Sequence, residues 1–127
     1  MTGRQIALDT QPRRIQRRRV KGWRAPHGAV YVGRGSRFGN PFTVAGALEW
    51  GGAETKAQAT ELCVRAFRSW LRGNRDWWMG PEADATRDRI AEGLPQLAGR
   101  DLMCWCPPGQ ACHADVLLEL ANGSSTP

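Results

Sequence analysis

The chain has 127 residues and a net charge of +6, and at this length one domain can bury a core without disulfides. No apolar run is long enough to span a membrane, and the N-terminus lacks the apolar core of a secretory signal, so we expect a cytoplasmic protein with no membrane partner. In that reducing compartment its four cysteines are expected to be free, metal-bound or catalytic rather than paired in disulfides.

The positive charge is concentrated near the N-terminus. Residues 1–24 contain eight basic side chains against Asp9 alone, whereas the other 103 residues contain ten basic and eleven acidic side chains. We expect a flexible basic arm over residues 1–13, a single domain over 14–122 and a disordered tail over 123–127. The N-terminal arginines are expected either to contact the phosphates of a nucleotide or nucleic acid, or to be simply solvated.

The first predicted strand covers residues 29–32 (AVYV), an apolar run with β-branched side chains. It leads into residues 33–42 (GRGSRFGNPF), which we call the glycine loop, where glycines and an Asn-Pro pair exclude regular structure. Backbone amides and arginines of this loop could bind a phosphate, although its spacing fits neither the dinucleotide nor the P-loop fingerprint, and an ordinary turn is the alternative. The candidate ligand-binding residues are Gly33, Arg34, Arg37, Gly39 and Asn40.

Helical periodicity is clearest over residues 55–71, where apolar side chains recur on one face. Thr55 and Gln58 predict a capping box, and Gly73 predicts the end of the helix. Cys63 lies on the apolar face, so we interpret it as a core residue.

The remaining elements predict the fold class. A second helix is expected over 81–92, closed by Gly93, followed by a strand over 101–106 that is apolar on both faces and a final helix from residue 112. Further short strands are expected near 17–23 or 42–44. Strands alternating with helices predict a small α/β domain, a two-layer or three-layer sandwich with a short, mostly parallel sheet, and α+β is the alternative.

Three cysteines and a histidine lie within residues 104–113 (CWCPPGQACH), which we call the cysteine segment. Strand alternation puts Cys104 and Cys106 on one face, and Cys112 falls at the start of a helix, where the helix dipole favours a thiolate. One interpretation is a tetrahedral zinc site made by Cys104, Cys106, Cys112 and His113, although the spacing differs from the usual zinc knuckles.

Two other interpretations of the cysteine segment stay open. In a catalytic interpretation, Cys106 or Cys112 is a nucleophile and Asp115 orients the base or supplies an acid. The base is His113 or His27. In a purely structural interpretation, Cys104 is a core residue and His113 caps a helix. Ligands of parallel sheets bind beyond the carboxyl ends of the strands, so the glycine loop and the cysteine segment would face each other if their strands are neighbours.

Two segments, RIQRRRVKGWRAPHGAVYVGRGSRFGNPF and LAGRDLMCWCPPGQACHADVLLELAN, together resemble a domain family of unknown function, DUF4326, of bacteria and their phages. The family is marked by a G-N-P-F segment and a C-W-C…C-H-A-D-V-L segment, and the glycine-rich stretch AGALEWGGAE departs from its pattern. Phage membership implies a nucleotide or nucleic-acid context. The residues that match the signature are Gly39, Asn40, Pro41, Cys104, Cys106, Cys112, His113 and Asp115.

The leading hypothesis is a small intracellular domain that binds a phosphate-bearing ligand, a nucleotide or nucleic-acid component, between the glycine loop and the cysteine segment. The Cys/His group would act on that ligand directly or through zinc, which makes the chain an enzyme of open reaction type. The alternative is a non-enzymatic nucleic-acid-binding module that is stabilised by zinc.

Overall fold

The computed structural model describes residues 11–123. The predicted arm and tail, apart from residues 11–13 and 123, lie outside the described residues. None of the helices in the described range combines the length and the apolarity that a membrane crossing requires. The elements are β1 (Arg14–Gln16), β2 (Val30–Tyr31), α1 (Val44–Glu49), α2 (Lys56–Leu71), α3 (Pro81–Leu97), β3 (Leu102–Cys104) and α4 (His113–Ala121).

The three strands form a parallel sheet in the order β1-β3-β2. Met103, in the middle of β3, is in register with Ile15 on one side and Tyr31 on the other. The backbone N–H of Arg17 donates to the carbonyl of Cys104 at 2.7 Å, so the pairing of β1 with β3 continues past the end of β1. All three β3 side chains are buried, as expected for a central strand. The predicted α/β class with a short parallel sheet is confirmed.

The helices form the rest of the core. Helix α4 packs on β1 and β3, helices α2 and α3 pack on α4, and α1 packs on α2. The capping box of Thr55 and Gln58 is present at the start of α2, and Cys63 is buried, so both predictions are confirmed. The largest fully buried side chains are Trp70, Phe67, Ile90, Leu97, Leu102 and Leu117.

Two short elements differ from the prediction. Helix α1 was not predicted, because its glycine-rich sequence has little helix propensity; Thr43 caps it by accepting a hydrogen bond from the Gly46 N–H. The additional strand expected near 17–23 lies slightly earlier, at β1, and the one expected near 42–44 is replaced by the start of α1.

Helix α3 continues past the predicted end at Gly93 to Leu97. Gly93 is buried, and a Cβ there would lie 2.8 Å from the Phe38 ring and 2.9 Å from the Arg37 guanidinium carbon. This glycine therefore permits close packing of the glycine loop on the helix, and it does not terminate the helix.

Candidate metal centre at the carboxyl edge of the sheet

The cysteine segment brings three thiols together. Cys104 ends the central strand, and after a turn Cys112 becomes the N-cap of α4, where its sulfur accepts a hydrogen bond from the Ala114 N–H. The sulfurs of Cys104 and Cys112 lie 3.0 Å apart, and those two sulfurs and that of Cys106 all lie within 4.8 Å of one another. All three cysteines are free, so their sulfurs could hold a metal ion.

His113 is held beside this cluster by two contacts. Its Nε2 lies 2.7 Å from the carbonyl oxygen of Val32, and its ring packs edge-on against Phe67 at 5.4 Å between centroids. A carbonyl only accepts hydrogen bonds, so Nε2 carries a proton, and in a neutral ring the lone pair is then on Nδ1. Nδ1 lies 3.8 Å from the Cys112 sulfur. The group of mutually close metal donors nevertheless consists of the three sulfurs and does not include His113.

The distances can be compared with a tetrahedral zinc site. Zn–S bonds of about 2.3 Å and a Zn–N bond of about 2.0 Å place two sulfurs about 3.8 Å apart, and a sulfur and a nitrogen about 3.5 Å apart. The 3.8 Å between Cys112 Sγ and His113 Nδ1 is close to the second value. The 3.0 Å between Cys104 and Cys112 is shorter than the first, so these sulfurs would separate slightly around an ion. The distance between the adjacent Cys112 and His113 is thus compatible with one ion, whereas the group of donors that lie within 4.8 Å of one another comprises the three sulfurs alone.

The three thiols share protons unequally. Hydrogen bonds from the Cys104 and Cys106 thiols lower the pKa of Cys112, against the effect of burial. The Cys104 pKa is raised, because its thiol is hydrogen-bonded to Cys106 and to Cys112 and is buried. Cys112 is therefore the best candidate for the thiolate of the group, and a thiolate is the form that binds metal or acts as a nucleophile.

Arg14 is a site residue that the sequence interpretation did not single out. Its side chain is only 12% exposed, and its guanidinium donates to the carbonyl oxygens of Gln110 at 2.8 Å and Pro107 at 3.3 Å. Burial opposes its charge, but hydrogen bonding to Cys112 and the charge of Asp115 outweigh burial, so the pKa of Arg14 is raised. Arg14 thus holds the turn of the cysteine segment and supplies positive charge beside the thiols.

Asp115 faces Arg14, with 3.5 Å between a carboxylate oxygen and Nη1. Burial raises the pKa of Asp115, while the charge of Arg14 opposes that shift. The two ring nitrogens of His113 face Val32 and Cys112. The role of Asp115 as the group that orients the base stays a prediction. The 3.5 Å contact supports a second role for Asp115, as the ion-pair partner of Arg14.

The glycine loop leaves the same edge of the sheet as the cysteine segment, since β2 and β3 are parallel neighbours. Two of its polar side chains, those of Asn40 and Arg37, make hydrogen bonds within the protein. The Asn40 amide donates to the Cys63 carbonyl at 3.0 Å and accepts from the Phe42 N–H at 2.9 Å. Arg37 Nε donates to the carbonyl of Arg89 at 2.8 Å.

These bonds connect the loop to α2 and α3. Arg34 is exposed, and Gly39 packs so closely that a Cβ would lie 3.1 Å from the carbonyl oxygen of Gly33. The predicted binding of a ligand by Gly33, Arg34, Arg37, Gly39 and Asn40 stays a prediction.

The family described as Domain of unknown function (DUF4326) matches residues 15–123, which include the glycine loop and the cysteine segment. The chain belongs to this family. Neither the curated proteins nor the solved structures contain a significant match to it. The expected resemblance is confirmed, and Arg14 lies immediately before the matched range.

The DUF4326 domain also carries a surface of stacked arginine and aromatic side chains. The guanidinium carbon of Arg17 lies 4.9 Å from the ring centre of Tyr31 and 5.1 Å from that of Trp105. The guanidinium carbon of Arg19 lies 4.7 Å from the Trp105 ring. The sequence offered only one signal for this surface, the basic run itself, because the aromatic partners come from other strands.

Proposed function

We propose that the domain binds zinc through Cys104, Cys106 and Cys112, with Nδ1 of His113 as the fourth ligand. The observation that carries this proposal is the cluster of three free sulfurs within 4.8 Å. Sulfur and imidazole nitrogen are the donors that zinc prefers, and the hydrogen bond from His113 to Val32 is the outer contact typical of zinc-bound histidines. Reduced thiols also fit the cytoplasmic location that we propose.

We propose further that this zinc is structural and that the domain is a non-enzymatic module that binds nucleic acid. Cys104 and Cys112 are 2% and 1% exposed, and burial of this kind is typical of closed structural sites. When bound, zinc would connect the end of β3 to the start of α4. Residues 11–48 contain nine basic side chains and no acidic one, a charge pattern that attracts phosphate backbones.

Metal analysis of protein purified under reducing conditions tests the zinc site. We expect about one zinc per chain, and much less in Cys104→Ser and Cys106→Ser. Cys63→Ala is the matched control, because Cys63 is a buried cysteine outside the cluster and its removal should leave the zinc content unchanged. Wild-type protein without bound zinc that also fails to take up added zinc would contradict the proposal.

Cobalt substitution tests the fourth ligand. Cobalt(II) in a tetrahedral site has visible absorption bands that shift when a nitrogen ligand is replaced by water. We expect His113→Ala to shift these bands and to lower zinc affinity about tenfold or more, whereas His27→Ala should change neither. An unchanged spectrum in His113→Ala would remove His113 from the ligand set and leave the three cysteines.

A second candidate function keeps the cysteines as chemically active groups that modify a bound nucleotide. Cys106 is only half-buried, and the glycine loop leaves the sheet beside the cysteine segment. In that case iodoacetamide should alkylate the half-buried Cys106 of zinc-free protein much faster than the buried Cys63, and a nucleotide should protect Cys106. Equal, slow labelling of both cysteines with no nucleotide effect would leave the structural role.

A further inference from the structure

We infer that Arg17, Arg19, Tyr31 and Trp105 form a binding site for single-stranded nucleic acid, and we call these four residues the stacking surface. This inference rests on the proposed function and specifies its ligand. Three of them lie where the strands end: Arg17 follows β1, Tyr31 ends β2 and Trp105 follows β3. These three are therefore positioned by backbone pairing, and Arg19 lies two residues beyond Arg17 with its guanidinium over the Trp105 ring.

The stacking surface lies on the side of the sheet opposite the thiols of the central strand. Side chains alternate along a strand, so Arg17 shares a face with Ile15, and Trp105 shares a face with Met103. Ile15, Met103 and Tyr31 are in register across the sheet. Cys104 points to the other face. A ligand on the stacking surface would therefore not need to contact the proposed zinc.

Both arginines of the stacking surface lie over aromatic rings, with their guanidinium carbons 4.7 to 5.1 Å from the ring centres. A guanidinium stacked on an aromatic ring keeps its N–H groups at its edge, directed away from the ring. Within residues 11–123, no hydrogen bond or ion pair engages the side chains of Arg17 or Arg19, in contrast to Arg14. Both guanidinium groups are thus oriented in advance while their donors stay available to phosphate oxygens.

The aromatic partners favour a single strand over a duplex. Trp105 is a large aromatic side chain that remains 36% exposed. Tyr31 is half-buried, and Arg17 lies over both rings. Rings interleaved with arginines can stack on unpaired bases, whereas the bases of a duplex already stack on one another. A membrane surface would use the positive charge but would not need the arrangement of rings, so we commit to single-stranded nucleic acid.

Fluorescence anisotropy with labelled oligonucleotides of about 12 residues tests the inference. The probes are oligo(dT), oligo(rU) and a mixed-sequence duplex DNA, and the two single strands separate DNA from RNA as the source. We expect wild type to bind a single strand at least about fivefold more tightly than the duplex, and Trp105→Ala to weaken single-strand binding about tenfold. Trp105→Phe keeps an aromatic face and should stay within about threefold of wild type.

Trp50→Ala is the matched control, because Trp50 is an exposed tryptophan that follows α1 and lies outside the stacking surface. It should leave binding unchanged. Zinc content and circular dichroism report whether Trp105→Ala, which lies between two cysteines, remains folded. If it does not, Arg17→Gln with Arg19→Gln replaces it, and single-strand affinity should again fall about tenfold with a weaker dependence on salt.

Three results would overturn the inference: unchanged single-strand binding in the folded variants, equal affinity of wild type for duplex and single strand, or binding to phosphatidylserine vesicles with no binding to any oligonucleotide. The last result would also contradict the proposed nucleic-acid function. The first two, obtained with wild type that binds nucleic acid, would leave that function standing and would show that another surface carries it.

Discussion

Arg14 and Arg17 are three residues apart in one basic run, yet their guanidinium groups lie in different surroundings. Arg14 donates to carbonyl oxygens of the cysteine segment and faces Asp115, so its charge is used inside the protein. The guanidinium of Arg17 lies over the rings of Tyr31 and Trp105, and no hydrogen bond or ion pair within residues 11–123 engages its N–H groups. An odd separation along an extended chain puts the two side chains on opposite faces, so Arg14 lies beside the thiols and Arg17 lies on the face of the proposed stacking surface.

The buried thiol of Cys63 should make the stability of the domain depend on pH. Burial raises the pKa of its thiol, so the folded chain keeps a proton that the unfolded chain releases above about pH 8.5. The stabilisation from a raised pKa is complete below the unfolded value and is lost as pH rises towards the folded value. The free energy of unfolding should therefore fall as pH rises from about 8 to 10, by at most about 1.4 kcal/mol per pH unit from this group.

Cys63→Ala should remove this contribution. Its free energy of unfolding should be about 1 kcal/mol lower at neutral pH, because a small cavity forms, but it should fall less steeply between about pH 8 and pH 10. Urea unfolding of both proteins across this range measures the difference. Parallel pH profiles would show that the Cys63 thiol is not shifted.

At the scale of elements, the sequence predicted those parts whose signals are local. Helix α2 carries its own capping box and apolar face, and β3 is apolar on both sides, so each is specified within one segment. Strand β1 has the sequence RIQ, which has no strand pattern of its own, and it forms because the backbone of β3 is available to pair with it. Tertiary pairing of this kind cannot be inferred from local periodicity.

Gly93 lies inside helix α3, although the sequence predicts that it ends the helix. Alanine has the higher helix propensity by about 1 kcal/mol, but a methyl group at residue 93 would overlap the buried ring of Phe38. We expect Gly93→Ala to lower the free energy of unfolding by about 1–3 kcal/mol despite that propensity. Thermal and urea unfolding measure it.

The control for Gly93 is the exposed position two residues earlier. Ala91→Gly makes the opposite substitution at an exposed position. It should lower the free energy of unfolding by about 1 kcal/mol, through the loss of helix propensity alone. If Gly93→Ala instead raised stability, the glycine loop would not be packed on α3 as described.

At the scale of the whole molecule, the strand order explains which site residues the sequence could identify. The cysteine segment is continuous in sequence, and three of its four predicted metal ligands, Cys104, Cys106 and Cys112, form the observed cluster. Arg14 and the stacking surface depend on β3 lying between β1 and β2, which no local pattern specifies. The adjacency of the glycine loop was predicted only on the condition that β2 and β3 are neighbours, and they are.

Removing the proposed zinc should destabilise the whole domain, because the ion would join the central strand to the helix on which α2 and α3 pack. Free zinc at about 100 times the dissociation constant stabilises a folded protein by about 2.7 kcal/mol, which for a domain of this size corresponds to about 10 °C in Tm. We expect a strong chelator to lower the Tm of wild type and of Cys63→Ala by that amount, and to leave Cys106→Ser almost unaffected. Differential scanning calorimetry with and without chelator measures these shifts. A wild-type Tm that does not respond to chelator would contradict a structural role, provided that the protein contains zinc before the treatment and none afterwards. The ion would then not be part of the structural core, and the thiols would serve the ligand instead.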